Sequence, residues 1–339
     1  MGVLGVGHGK LLLFGEHAAV YGYPAVGTGL PLLTELAGEG GGAVPSLPKT
    51  ELPAALHELA GAAARRAGGA LVVRSALPPG VGLGSSAALC VALARAASMP
   101  QVWATAHGLE RAFHGSPSGV DTGLAQHTGV AALRWPVAGR RADGDMPLPT
   151  LTRLAATDLH LVFGAVPRAT STAASVRRVG DARAAGDVVV GDALAELGSI
   201  SAAAVATFAP VGGGAAAGGG GLGERLGEQL GELASRAQRL LTHALGLGDG
   251  EQSRLLDVGQ DAGAAGGKLS GGGGGGAFVL FCSGEAVAER VFDAVRGAAS
   301  PSLAPLAQLA VSARAHATAG TALLMRQEGA ATTSAVWRP

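Results

Sequence analysis

Neither sign of charge is in excess: 25 Lys and Arg stand against 25 Asp and Glu, so the formal net charge is zero. No basic field recommends nucleic acid or an anionic membrane, and neither is expected as a partner. Cysteine is scarce too. Cys90 and Cys282 each sit inside an apolar run, cannot make a disulfide framework, and read as buried free thiols. Near the N-terminus a basic n-region is missing, and Glu16 and His17 interrupt the apolar run before it could act as a signal or a span. A myristoylation signal would want Ser or Thr at position 6, where Val6 stands. The expected setting is the cytoplasm. Also missing is the commonest phosphate loop, because no Gly-Lys pair is followed by Ser or Thr.

What the chain has in quantity is glycine, 57 residues of it, beside a hydrophobic content of 48% and only 4% aromatics. Its 339 residues suit one large or two ordinary globular domains, and part of the Ala/Gly richness is expected to be compositional drift. One glycine-rich stretch organises the rest. Ala70-Leu71-Val72-Val73 reads as a strand, Pro78, Pro79 and Gly80 force a turn, and the alanine-rich segment beyond Ser86 reads as a helix. Between them lies Gly80-Val81-Gly82-Leu83-Gly84-Ser85-Ser86, where glycines admit an anion to backbone N–H groups and the helix N-terminus adds positive dipole. A dinucleotide fingerprint wants glycine where Ser85 stands, and the frame from Gly82 meets only its looser form.

Residues 3 to 14 read as a strand returning as a hairpin through Ala18 to Val26, and Leu52 to Arg66 has helical spacing. Helices are expected from Ala87 to Ala97 and from Val102 to Phe113, the latter with Leu109 and Phe113 on one face. Strands are expected at His127 to Trp135 and Leu159 to Val166, with a composition shift between them that suggests domains at 1–150 and 151–339. A helix from Ala173 to Val179, capped by the Thr/Ser cluster before it, follows; Ile200 to Gly223 reads as an expanded connection, and 224 to 247 returns to helix. On local chemistry alone Lys10 could be an edge lysine, His17 a turn histidine, Asp121 an N-cap and Glu110 a solvated helix carboxylate.

Four strings change that balance. Pro78 to Ala87 resembles the P-x-x-x-G-L-G-S-S-A loop of the GHMP small-molecule kinases, and Gly9-Lys10 to Gly22 resembles the first GHMP motif in its mevalonate kinase form. Glu110-Arg111-Ala112-Phe113-His114-Gly115-Ser116-Pro117-Ser118-Gly119-Val120-Asp121 is similar to the E-R-x-x-H-G-x-P-S-G-V-D string of those enzymes, and Lys268-Leu269-Ser270 with six glycines resembles the third motif. Pro167-Arg168-Ala169-Thr170 matches V-P-R-x-T, with Ser171 where arginine is common; Leu89 and Leu109 replace a frequent tyrosine and glycine.

The resemblance implies an α+β, two-domain GHMP kinase fold, with an N-terminal domain like ribosomal protein S5 domain 2 and a ferredoxin-like C-terminal domain. It implies transfer of the γ-phosphoryl group of ATP to the hydroxyl of mevalonate, with Asp121 as base and Lys10 stabilising the alkoxide. By the same resemblance Ser75, Lys10 and Gly80, Val81, Gly82, Leu83, Gly84, Ser85 and Ser86 hold ATP, while Ser86 and Glu110 hold Mg²⁺. Glu16, His17 and Thr170, with Lys10 and Asp121, face mevalonate, and the assembly is compatible with a homodimer. Two readings stand beside it: another GHMP kinase such as a phosphomevalonate kinase, and a non-catalytic ligand sensor on the same fold.

Overall fold

The structure, a computed structural model, describes residues 2–38, 53–114, 117–136, 147–155, 159–210, 222–300, 306–312, 322–328 and 333–337. The Gly/Pro/Ser-rich stretch from Gly38 to Thr50, which reads as a loop, lies outside the described residues beyond Gly38 itself, as do most of the polar stretch from Pro136 to Pro149 and the glycine run at 212–221. Strand β1 (Val3–Phe14) passes through a short 3-10 turn (Ala19–Tyr21) into β2 (Ala25–Gly38), and the two pair antiparallel as the expected hairpin. Then come α1 (Ala54–Arg66), β3 (Leu71–Ser75), α2 (Ser85–Ala96), α3 (Val102–His114), α4 (Val120–Leu124), β4 (Gly129–Arg134) and β5 (Thr150–Ala155). The chain continues with β6 (Leu159–Val166), α5 (Thr172–Ala184), α6 (Val188–Thr207), β7 (Ala209–Pro210), α7 (Leu222–Arg239), a π turn (Leu240–Ala244) and α8 (Gly250–Asp261). It closes with β8 (Gly266–Leu269), β9 (Gly276–Cys282), α9 (Glu285–Ala298), β10 (Leu306–Ser312), β11 (Ala322–Glu328) and β12 (Thr333–Trp337).

Two sheets result. The first runs β12-β3-β2-β4-β5-β7 with β1 on β2, and the second is the antiparallel series β11-β10-β6-β9-β8. Strands β5, β7 and β12, all from residue 150 onward, therefore join the first sheet; β12 lies antiparallel on β3, from Thr333↔Ser75 to Trp337↔Leu71. One apolar core spans both halves, uniting Leu11, Leu13 and Phe14 of β1 with Leu161 and Phe163 of β6 and Val279 and Phe281 of β9.

Much of the Ala/Gly richness is packing and not drift. Gly5, Gly7 and Gly9 alternate along the first half of β1, so one face of that half has no side chains. A Cβ at Gly5 would lie 2.1 Å from Ala92 O and one at Gly7 only 1.9 Å from Ala88 O. Helix α2 therefore rests its backbone directly on the strand, and its own Ala87, Ala88, Ala92 and Ala96 are buried in the contact region. That close approach carries Lys10 beneath the loop that precedes α2.

Three local expectations need correction. Ile200 to Thr207 is the last two turns of α6, not connection; this stretch holds no glycine or proline, and its Ile200, Ala204 and Val205 enter the core. Although α6 is long and apolar enough to cross a membrane, half of its apolar window is buried inside the protein. On α3, Leu109 is buried but Phe113 is exposed, because the buried stripe runs through Ala106, Leu109 and Glu110. Asp121 is not an N-cap: Gly119, at φ +83°, caps α4, and Asp121 sits inside its first turn.

Candidate active site

A cavity of about 690 Å³ opens where the two halves meet, lined from β1, the 3-10 turn, the glycine loop before α2, α3, α4, α5 and the loop between β8 and β9. The sequence predicts much of its wall. Lys10, Glu16, His17, Gly80, Gly82, Gly84, Ser85, Ser86, Glu110 and Asp121 all line it.

Lys10 is fixed twice. Its backbone N–H donates to Leu83 O at 2.9 Å, and its aliphatic stem passes under Gly84, where a Cβ would come within 2.6 Å of Lys10 Cγ. Gly84 also sits at φ +80°, so it is required by space and by conformation. The Lys10 ammonium meets Asp121 Oδ1 at 3.1 Å, with the lysine almost wholly enclosed and the aspartate one-third exposed toward the cavity. Behind them Glu110 is 1% exposed, and neither carboxylate oxygen has a hydrogen-bond partner among the described residues. Burial raises its pKa well above the usual carboxylate value, the Asp121 charge adds to the rise, and the Lys10 ammonium opposes it.

Beside this group Ser86 Oγ lies 3.1 Å from His114 Nε2. Burial lowers the His114 pKa, so the imidazole is neutral at pH 7 and can accept the serine proton. Arg168 closes the opposite side. Its guanidinium donates to Thr172 Oγ1 at 2.6 Å, would touch a Cβ at Gly82 at 2.6 Å and one at Gly276 at 2.3 Å, and keeps a buried Nε without a partner among the described residues. The first glycine loop and the third thus press on one cation.

At the inner end, Glu16 is buried and Lys268 Nζ donates to its Oε1. His17, at φ +58°, places Nε2 3.2 Å from Gly272 O, and burial pushes its pKa down to about 4. The outer wall is α5, which contributes Ala173, Val176, Arg177, Gly180 and Asp181 opposite Tyr21.

Four predicted residues stand apart from the lining. Ser75 Oγ is taken by Thr34 Oγ1 at 2.8 Å and Leu77 N at 3.1 Å, so it ties the end of β3 to β2. Val81 and Leu83 turn their side chains into the apolar core. Thr170 packs on the glycine loop, 3.2 Å from where a Gly274 Cβ would lie, and the segment instead presents Arg168, Thr172 and Ala173 to the cavity. Conversely, sequence reasoning placed neither His114 nor Lys268 among the site residues, and it read Thr172 only as part of a capping cluster. His114 carried a usable signal, since it lies one helical turn beyond Glu110 and shares its face.

Charge, cavity and glycine loops together describe a site for a phosphorylated nucleotide and a small acceptor. The GHMP kinases N terminal domain profile matches residues 52–128, and the GHMP kinases C terminal profile matches residues 210–300. The chain belongs to the GHMP kinases, with their two-domain α+β architecture. Among solved structures it is similar to L. major mevalonate kinase in complex with R-mevalonate, at 22% identity and TM-score 0.66, over 88% of this chain and 92% of that one. It is similar also to Methanococcus jannaschii mevalonate kinase, at 16% identity and TM-score 0.62, over 95% and 96% of the two chains. Streptococcus pneumoniae phosphomevalonate kinase in complex with phosphomevalonate and AMPPNP aligns at 14% identity and TM-score 0.60, over 88% and 97%. At such identities the likeness is one of fold. No curated protein matches the sequence.

Proposed function

We propose that this chain is a mevalonate kinase, transferring the γ-phosphoryl group of ATP to the 5-hydroxyl of mevalonate. One observation carries the reading: the Lys10–Asp121 pair, 3.1 Å apart, shares a cavity with the glycine loop, Ser86 and the unpartnered Glu110. Phosphoryl transfer asks a protein chiefly to position reactants and to neutralise charge, and these residues divide that work. Asp121 takes the hydroxyl proton as the new oxygen–phosphorus bond forms and the bond to the ADP oxygen breaks. Lys10 stabilises the developing alkoxide and the transferring group, and Arg168, which lines the cavity beside the glycine loop, adds a second cation. Backbone N–H groups of Gly80 to Ser86 and the N-terminus of α2 receive the phosphates.

The donor set fits a hard divalent cation. Glu110 offers two buried oxygens with no other partner among the described residues, and the Ser86 hydroxyl, 3.1 Å from His114 Nε2, can give its proton to a neutral imidazole and keep oxygen lone pairs for a cation. A Mg²⁺ held by these two residues would take its remaining ligands from water and phosphate. When bound, the ion neutralises phosphate charge.

The mevalonate-specific part of the reading rests on the Glu110 to Asp121 string and on the acceptor end formed by Glu16 and His17. Arg177 in the outer wall favours a second reading, a phosphorylated acceptor as in phosphomevalonate kinases. Purified protein offered ATP and Mg²⁺ with mevalonate, phosphomevalonate, galactose or homoserine separates these. Turnover of mevalonate alone, abolished in Asp121→Asn, is the expected result; turnover of phosphomevalonate instead selects the second reading. ATP binding with no acceptor phosphorylated would make the chain a ligand sensor.

A further inference from the structure

Lys268 has no role in the chemistry just described. It does not line the cavity, and it is 0% exposed. Its ammonium donates to Leu269 O at 2.6 Å and to Oε1 of Glu16, 252 positions earlier, with the Phe14 ring centroid 5.9 Å away. A buried ion pair contributes little net stability over well-packed apolar side chains, so stability alone does not account for it. Its position does. Glu16 lines the cavity, Oε1 is occupied by Lys268, and Oε2 has no hydrogen bond among the described residues.

The neighbouring contacts run the same way. Ser270 Oγ accepts from Leu12 N at 3.0 Å and donates to Leu12 O at 2.8 Å, and the His17 ring reaches Gly272 O. The turn held by these contacts is not a relaxed one, with Gly15 at φ +106° and His17 at φ +58°. The far glycine loop therefore grips the acceptor end of the cavity from behind.

We propose that Lys268 is a positioning residue for the phosphoryl acceptor: it fixes the Glu16 carboxylate with one oxygen left to receive a second hydroxyl of the acceptor, and holds the Gly15–His17 turn in place. This rests on reading the Glu16 end of the cavity as the acceptor site. It adds a requirement on the substrate class, a small polyol-like molecule with a hydroxyl donor besides the one phosphorylated.

The test compares Lys268→Met, Glu16→Gln and the double variant with wild type, in steady-state kinetics and in hydrogen exchange of residues 15–21. Each single variant should raise the acceptor KM by about ten-fold or more while the ATP KM stays within about three-fold, since a small displacement of a positioning group is costly only for the ligand it positions. The double variant should be no worse than the poorer single one, because the two residues act as a unit; it also removes both charges, so it folds even where Lys268→Met leaves Glu16 stranded. An unchanged acceptor KM in Lys268→Met, a parallel rise in ATP KM, or multiplicative losses in the double variant would overturn the proposal. If wild type phosphorylates no mevalonate, the proposed function falls, and exchange decides this inference without any acceptor. Faster exchange at 15–21 than at 80–86 in Lys268→Met supports it, and equal exchange in both segments defeats it.

Discussion

Lys10 and Asp121 come from a strand and a helix more than a hundred positions apart, and one packing decision brings them within 3.1 Å. Asp121→Asn keeps shape and loses the base, so kcat should fall by roughly 10²–10⁴ with ATP affinity nearly unchanged. Single-turnover kinetics with a fluorescent ATP titration checks both halves of that statement. Glu110 makes a different prediction. Its native pKa is raised above the unfolded value, so native protein without metal loses stability as pH rises above the ordinary carboxylate range. Glu110→Gln should therefore melt higher than wild type at pH 8 in EDTA, yet need much more Mg²⁺ for activity. Melting curves with and without Mg²⁺ would sink the assignment if the variant melts lower in both. At this scale the sequence was informative for Lys10, Ser86, Glu110 and Asp121, which lie inside contiguous strings and line the cavity, and less so for Val81, Leu83 and Thr170, which lie in such strings but stand apart from the lining. It was silent on Lys268 with Glu16 and on the diversion of Ser75 to Thr34, because those partners are set by the packing of distant strands.

Elements were legible from periodicity and breakers, and the places where that failed have local causes. The end of α6 was lost to the pull of the glycine run that follows it. Helix α3 hides a carboxylate in its apolar stripe, which a hydrophobicity pattern cannot show. Most instructive is β1 against α2. Residues 3 to 14 read as a strand, but nothing in the sequence reading gave its alternating glycines a purpose; they make a flat strand face on which a helix backbone rests. Gly7→Ala would drive a methyl into Ala88 O, where 1.9 Å is available, and should cost roughly 1–3 kcal/mol or more in urea unfolding while also displacing the glycine loop. Gly297→Ala, inside α9 with open space around it, should instead stabilise by about 0.5–1 kcal/mol. If the two variants unfold alike, the interlocked strand and helix are not what sets the height of the phosphate loop over Lys10.

Over the whole molecule the histidines give the chain a common acid response. Burial lowers the pKa of His8 and His127 in the first half, of His114 at the cavity and of His17 between the halves, the last to about 4. Each of these rings binds a proton more readily when the chain is unfolded, so each favours the native state less as pH falls below about 6.5. For His17 the stability is intact above that value and is lost as pH falls toward 4, a difference of about 3 kcal/mol for a ring whose pKa burial carries from 6.5 down to about 4. Glu110 runs the other way over part of this range, so the wild-type profile alone does not isolate the histidines. His17→Asn does, because asparagine tolerates φ +58° and has no titrating ring. Urea unfolding at pH 7.5, 5.5 and 4.5 should show the variant losing less stability than wild type on acidification. Since the core joins β1 of the first sheet to β6 and β9 of the second, and β12 returns to the first, that loss should appear as one cooperative transition and not as the melting of one half. Two separated transitions at pH 4.5, with His17 tracking neither, would mean that the contact between the halves is not where the acid acts.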